Sequence, residues 1–222
     1  MFPQKQLLSR IMEKKVRKQV DGKFRNKERT KKELIQSIGK VLAERSYAGL
    51  NITSVSQAVG KNPKLIYEYF GTLDGLVQEY ISQKLAASYP SLELADRMAA
   101  NPDYVTDEDL VELIVMRQQD ISADRELQAL IHWNLVLSES RVRGTQAKIA
   151  RLLATLVSRF RDLPVPPKHF SREMLEIISS GVIFLSVHAH TNGQSLFGAA
   201  TDAANGQQRI TNAVYRLLAS AL

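Results

Sequence analysis

Asn62 and Lys64 stand on either side of Pro63, just beyond Gly60, in the stretch NITSVSQAVGKNPKLIYEYF at residues 51–70. An amide presents a donor beside an acceptor and an ammonium presents donors alone, the side-chain types that read base edges in the major groove. Lys61, Thr53 and the first backbone N–H groups of any helix starting here suit phosphate oxygens instead. Glu68 would repel phosphate and belongs against a base edge, a basic partner or solvent.

Two short helices are needed to hold these groups. Asn51 is placed as an N-cap, and Ile52 and Val55 face inward. Ser56 and Gly60 fall four apart on one side, small enough for two helices to cross closely. Gly60 can take the left-handed geometry that ends the first helix. Asn62 can cap the second, with Pro63 at its first position, where a missing N–H costs nothing. Ile66 and Phe70 anchor that helix and leave Lys64, Leu65 and Glu68 facing outward. This is the build of a helix-turn-helix, although a helical hairpin with no nucleic-acid role has the same spacing.

Charge favours the first reading. The chain has 222 residues and a formal net charge of +7. Residues 1–32 hold twelve Lys/Arg against Glu13, Asp21 and Glu28, a local net of +9, so the remainder is slightly acidic. A basic extension, residues 1–26, thus leads into the first clear amphipathic face, with Arg25, Lys27 and Arg29 as phosphate candidates. A solvated leader is the plain alternative.

Apolar residues recur at i, i+3 and i+4 from about residue 30 to the end, without period-2 alternation, so the expected fold is all-α. The first helix is expected over 27–45, with Leu34, Ile35, Ile38, Val41 and Leu42 on one face. A longer one after the helix-turn-helix carries Leu73, Leu76, Val77, Tyr80, Ile81 and Leu85. The 88–103 segment, with Pro90, breaks the pattern. A second helical unit follows, with Thr106 as N-cap before Asp107, Glu108 and Asp109, and helices at about 107–120, 124–139, 141–162, 170–191 and 206–221. PVPP at 164–167 reads as a stiff connector and 192–206 as a loop.

The absence of Cys excludes disulfide scaffolds, Cys-based zinc sites and thiol nucleophiles, and fits a reducing cytoplasm. No signal peptide or membrane span is expected: MFPQKQLLSRIMEKK has no apolar run before its charges, and GVIFLSVHA is too short to cross a bilayer. GQSLFG misses the G-x-S-x-G spacing, and no phosphate loop or dinucleotide motif occurs, so neither an enzyme nor a cofactor is expected. His188 and His190 lie on different sides of a helix with no carboxylate at ligand spacing, so no metal is expected.

From about Lys27 to Leu85 the chain resembles the DNA-binding domain of the TetR family of bacterial transcriptional repressors. Gly60, Ile66, Tyr67, Phe70, Gly71, Thr72 and Leu76 carry the resemblance. It implies Tyr67 at the edge of the recognition helix against backbone or a base methyl, Tyr69 hydrogen-bonded to a phosphate, and Thr72 capping a helix whose amide end also faces phosphate. Three positions depart from the pattern: Lys61 replaces an apolar turn residue, Ser56 replaces Ala, and Leu73 stands where a phosphate-contacting Lys is common. Losing that Lys removes one counterion-releasing contact, which Lys61 or the basic leader is placed to replace.

The resemblance further implies a three-helix DNA-binding domain, 27–72, and a C-terminal helical effector-binding and dimerisation domain, 73–222. The homodimer would form through the last two long helices, near 170–191 and 206–221. Met116, His132, Trp133, Leu137, Phe184 and His188 are candidates to line an effector pocket, mixing flexible apolar walls with polar handles. The expected function is a ligand-responsive, sequence-specific DNA-binding regulator, a repressor released from a palindromic double-stranded operator by a small molecule. A helical protein-interaction module that kept the fold without DNA affinity is the alternative.

Overall fold

A computed structural model describes residues 23–137, 144–161, 170–192 and 204–219. All regular secondary structure among these residues is helical. Helix α1 spans Lys23–Arg45 and buries Leu34, Ile35, Ile38, Val41 and Leu42, the face expected from their spacing. It begins four residues before the expected start, inside the basic segment. No apolar period marks that first turn, but Lys, Arg and Glu are good helix formers and extend the helix from a packed nucleus. Residues 1–22 lie outside the described part.

Ser46, at φ 58°, turns the chain into a short 3-10 turn, Tyr47–Gly49. Helices α2, Ile52–Val59, and α3, Lys64–Phe70, follow, and then α4, Leu73–Ala86. Next comes a helix the sequence pattern did not suggest. Within the expected break at 88–103, α5 runs Pro90–Ala100 and buries Ser91, Leu92, Leu94 and Met98. Pro90 occupies its first turn, where proline removes no hydrogen bond, and the Ser91 N–H is satisfied at 2.9 Å by Asp120, distant in sequence.

The remaining helices are α6, Asp107–Ala123; α7, Arg125–Val136; α8, Thr145–Arg161; α9, Arg172–Asn192; and α10, Ala204–Ala219. Thr106 opens α6 as expected, in a capping box with Asp109. The PVPP connector lies outside the described residues, as does most of the expected 192–206 loop, whose ends are drawn into α9 and α10.

One apolar cluster runs unbroken from α1 to α4 into α7 and α8; a second is formed chiefly by α5, α6, α9 and α10. Helices α4 and α8 run parallel. At one end Asp74 accepts from Thr145 at 2.5 Å and Gln146 at 3.1 Å, and at the other Arg159 donates to the Leu85 carbonyl.

Candidate nucleic-acid interface

The α2–α3 corner is built from local hydrogen bonds that the sequence spacing anticipates. Asn51 Oδ1 accepts from the Ser54 N–H at 2.9 Å and Ser54 Oγ accepts from the Asn51 N–H at 3.1 Å, closing a capping box. Gly60 ends α2 at φ 61°; a Cβ there would meet nothing within 4 Å, so the glycine is needed for its backbone angle alone. Asn62 Oδ1 accepts from the Lys64 N–H at 2.9 Å, with Pro63 already in helical geometry. Val55 and Ile66 are both fully buried and fix the two helices against α1 and α4. Thr72 then caps α4, accepting from the Gly75 N–H at 3.0 Å. Gly75 permits the tight step, since a Cβ would lie 2.3 Å from the Phe70 carbonyl.

Thr53, Asn62, Lys64, Tyr67 and Glu68 are exposed, the condition for reaching a groove or backbone. Leu65 departs from expectation: it is half-buried against the core, because a seven-residue helix resting on Ile66 must tuck a flanking apolar side chain under itself. Tyr69 is also half-buried, edge-on to Phe70 at 6.5 Å, and the Lys27 ammonium lies 5.2 Å from its ring centroid. Lys27 therefore joins the basic start of α1 to α3. Arg25 lies in the first turns of α1.

Lys61 is not a free cation. Its Nζ lies 2.8 Å from Glu33 Oε2, while Arg29 Nε approaches Glu33 Oε1 at 3.6 Å. The Lys61 hydrogen bond, chief among the causes, holds the Glu33 carboxyl below its usual range. Glu33 was missed from sequence. Its pairing with Arg29 is legible as an i, i+4 contact, but Lys61 is twenty-eight places away.

The six effector-pocket candidates do not converge. Trp133 is buried and stacks on Tyr47, with centroids 5.9 Å apart and planes 8° apart, and His132 meets the same ring edge-on. Leu137 packs on that same core, Met116 belongs to the second cluster, and Phe184 lies against His188 at 5.3 Å on α9, with 45% of its surface exposed. These side-chain types suit any helical core, and their spacing says nothing about which core they join.

Tyr47 and Trp133 instead form a joint between the corner after α1 and helix α7. A second joint lies at the other end of α7. Glu126 Oε2 accepts from the Tyr80 hydroxyl at 2.6 Å and pairs with Lys84 at 2.8 Å. Asp124 Oδ2 accepts from Lys84 at 3.0 Å and from the Tyr89 hydroxyl at 3.1 Å. Burial opposes the charge on Asp124 and Lys84, yet the Leu127 N–H and Lys84 outweigh it for Asp124, and Glu126 and Asp124 outweigh it for Lys84. The carboxyl is thereby lowered and the ammonium raised. Both phenols are pushed well up, first by burial and then by the neighbouring carboxylates. An open cleft of about 510 Å³, lined by Ala43, Lys84, Tyr89, Asp120, Asp124 and Glu126 among others, lies beside this knot and contains none of the six candidates.

On α9 and α10, Ile177, Phe184, Tyr215 and Leu217 are exposed large apolar residues. Among the described residues no helix is long and apolar enough to cross a membrane, and no group of three His, Cys, Asp or Glu could hold a metal ion.

No protein-family profile matches the chain, and no curated protein does. Solved structures do. The fatty acid degradation regulator FadR from Bacillus halodurans is 17% identical, with 86% of this chain and 98% of that chain covered at a TM-score of 0.50. The transcriptional regulator FadR from Bacillus subtilis, solved in complex with stearoyl-CoA, is 16% identical over 86% and 98% at 0.49. A putative TetR-family transcriptional regulator from Rhodococcus sp. is 17% identical over 86% and 99% at 0.49. At such identities the likeness is one of fold: the chain has the two-part, all-α fold that the TetR resemblance implies.

Proposed function

We propose that the protein is a homodimeric, sequence-specific DNA-binding transcriptional regulator that acts as a repressor released from a palindromic operator by a small molecule. The observation that carries this is the build of α3. Its first residue, Lys64, and Asn62, whose side chain accepts from the Lys64 N–H, are exposed, while the buried Ile66 pins the helix to the core. Thr53, Tyr67 and the capped start of α4 at Thr72 flank it with groups for backbone contact, and Arg25, Lys27 and Arg29 add charge from α1.

The exposed apolar residues of α9 and α10 support a self-complementary two-fold interface, which would set two recognition helices about 34 Å apart for successive major grooves. An effector bound unequally by two arrangements of the bundle would alter that spacing. The joints of α7, with α4 at Glu126 and with the corner after α1 at Trp133, supply the route.

A second reading has one observation in its favour. Lys61, the natural substitute for the cation absent at Leu73, is already paired with Glu33, which suits a protein-interaction module without DNA affinity. Fluorescence anisotropy with DNA from upstream of the protein's own gene, random competitor and a salt series, followed by selection of bound genomic fragments, separates the two. Specific binding at two chains per site supports the regulator; failure to select any fragment supports the module.

A further inference from the structure

Buried polar side chains gather on one seam of the carboxy-terminal bundle. Gln118 on α6, Gln128 on α7 and Ser186 on α9 are each at most 5% exposed, and the half-buried Ser122 and Thr211 join them from α6 and α10. The apolar residues divide on either side of the seam. Helix α6 gives Leu113 and Ile114 to one core and Ile121 to the other, and α9 gives Val182 to the first and Val187 to the second.

Hydrogen bonds along the seam run in one direction. Thr211 Oγ1 donates to Gln118 Oε1 at 2.7 Å, Gln118 Nε2 to Ser122 Oγ at 3.0 Å, Ser122 Oγ to Ser186 Oγ at 3.4 Å, and Ser186 Oγ to the Val182 carbonyl at 2.9 Å. Gln128 Nε2 donates to the Ser122 carbonyl at 3.3 Å, while its Oε1 is buried without a hydrogen-bond partner. Every hydroxyl proton in this chain is committed, so its hydroxyls can only accept further, while each Gln amide spends one of its two N–H groups on the bond named. Ser179, seven residues before Ser186 on the same side of α9, is also buried with no hydrogen-bond partner and can donate or accept. No charged group takes part in these bonds. The neighbouring Arg117 guanidinium turns toward α8 and donates to the Arg159 carbonyl at 3.3 Å.

We propose that the effector binds along this seam, parting the two cores, and that it is a largely apolar, uncharged molecule whose hydroxyl or N–H donates to Gln128 Oε1. This rests on the reading that the bundle takes a small molecule. An unmet buried acceptor is costly to the empty protein and is relieved by a ligand donor. An ionised head would enter a chain of neutral groups, with the neighbouring Arg117 guanidinium held toward α8, a far larger penalty. Apolar walls on both sides suit a hydrocarbon body.

The test titrates the full-length protein with 1-decanol, decyl methyl ether and decanoate, read by the fluorescence of Trp133, the chain's single Trp and a neighbour of Gln128 on α7. The alcohol should bind at least ten-fold more tightly than the ether, which keeps the tail but lacks the donor, and than the carboxylate. Gln128→Leu should bring the alcohol down to the level of the ether. Thr211→Val, which leaves Gln118 Oε1 open as a second acceptor, should preserve or widen the preference; should the Gln128 variant fail to fold, this one and the wild-type comparison still decide. Equal binding of alcohol and ether, full preference in Gln128→Leu, or no binding of any probe overturns the proposal. DNA anisotropy on the same samples is read separately: alcohol binding by a protein that ignores DNA would overturn the regulator and leave the seam standing.

Discussion

Gly39 of α1 lies directly beneath the carboxylate of Glu126, so close that a Cβ on the glycine would fall 2.3 Å from it. The first turn of α7 is thereby seated on the helix that carries the basic amino-terminal segment, and Glu126 is held there by Tyr80 and Lys84. Gly39→Ala must push the carboxylate off at least one of these partners. The expected cost is about 1.5–3 kcal/mol for a lost hydrogen bond to a charged group. DNA affinity should survive while its dependence on effector weakens. Thermal unfolding together with effector-driven release from DNA checks both, and unchanged coupling would mean that α7 does not transmit through this contact.

Asp124 makes the same knot sensitive to acid. Its folded pKa lies below the ordinary value, so its contribution is fully present above the unfolded pKa, about 4, and is lost as pH falls through the lower folded value. Lys84 has the opposite sign: its raised pKa contributes below about 10.4 and is lost only as pH rises through the folded value. Asp124→Asn keeps an N-cap for α7 but removes the charge. The variant should lose on the order of 1 kcal/mol at pH 7, since the site is partly solvent-screened, and should show a flatter acid limb between pH 5 and pH 2. Urea unfolding across that range measures it.

Base reading and phosphate attraction should separate by mutation. Lys64→Ala removes a donor at the exposed start of α3 and should change base preference, at about 1–3 kcal/mol for the preferred site. Replacing Arg25, Lys27 and Arg29 together should weaken binding to all sequences and flatten the slope of log affinity against log salt by about 2–3 units. If both variants behave alike, α3 is not the element that reads sequence.

Ile177 and Phe184, seven apart on α9, are 73% and 45% exposed. Placing Glu at both should leave the fold intact, because neither fills a core, and should convert the proposed dimer to monomers in sedimentation velocity. Specific DNA affinity should fall by at least ten-fold, since a single half-site contact replaces two.

Legibility in the sequence followed the range of the contacts. The corner from Asn51 to Thr72 could be read because each cap closes on a backbone N–H two or three residues away and Gly60 is set by its own φ. The core faces of α1 and α4 followed from a period that burial enforces. Helix α5 could not be read, since its amino end is completed by Asp120, whose approach depends on the tertiary fold. The placement of the effector candidates could not be read for a related reason: Trp133 and Met116 have the composition of a pocket wall, but only packing shows that one stacks on Tyr47 and the other enters the second core. The seam's polar residues are periodic only within single helices, Gln118 with Ser122 on α6 and Ser179 with Ser186 on α9; that Gln128 joins them through the Ser122 carbonyl depends on packing between helices.

Glu33 sets the last prediction, because its carboxylate already holds the Lys61 ammonium that a phosphate would otherwise attract. If the pair opens on DNA binding, the favourable Lys61–phosphate contact is offset by breaking the 2.8 Å bond, and little net counterion release remains. Glu33→Gln removes that competition and one negative charge facing Arg29. Affinity for specific and random DNA should both rise several-fold, and the salt slope should steepen by about one unit. Lys61→Ala should change the slope little in the wild-type background but erase the gain in Glu33→Gln. Should Glu33→Gln instead lower the melting temperature and leave DNA affinity where it was, Lys61 is a strut bracing the α2–α3 turn against α1, and the charge lost at Leu73 is made up by the amino-terminal segment alone.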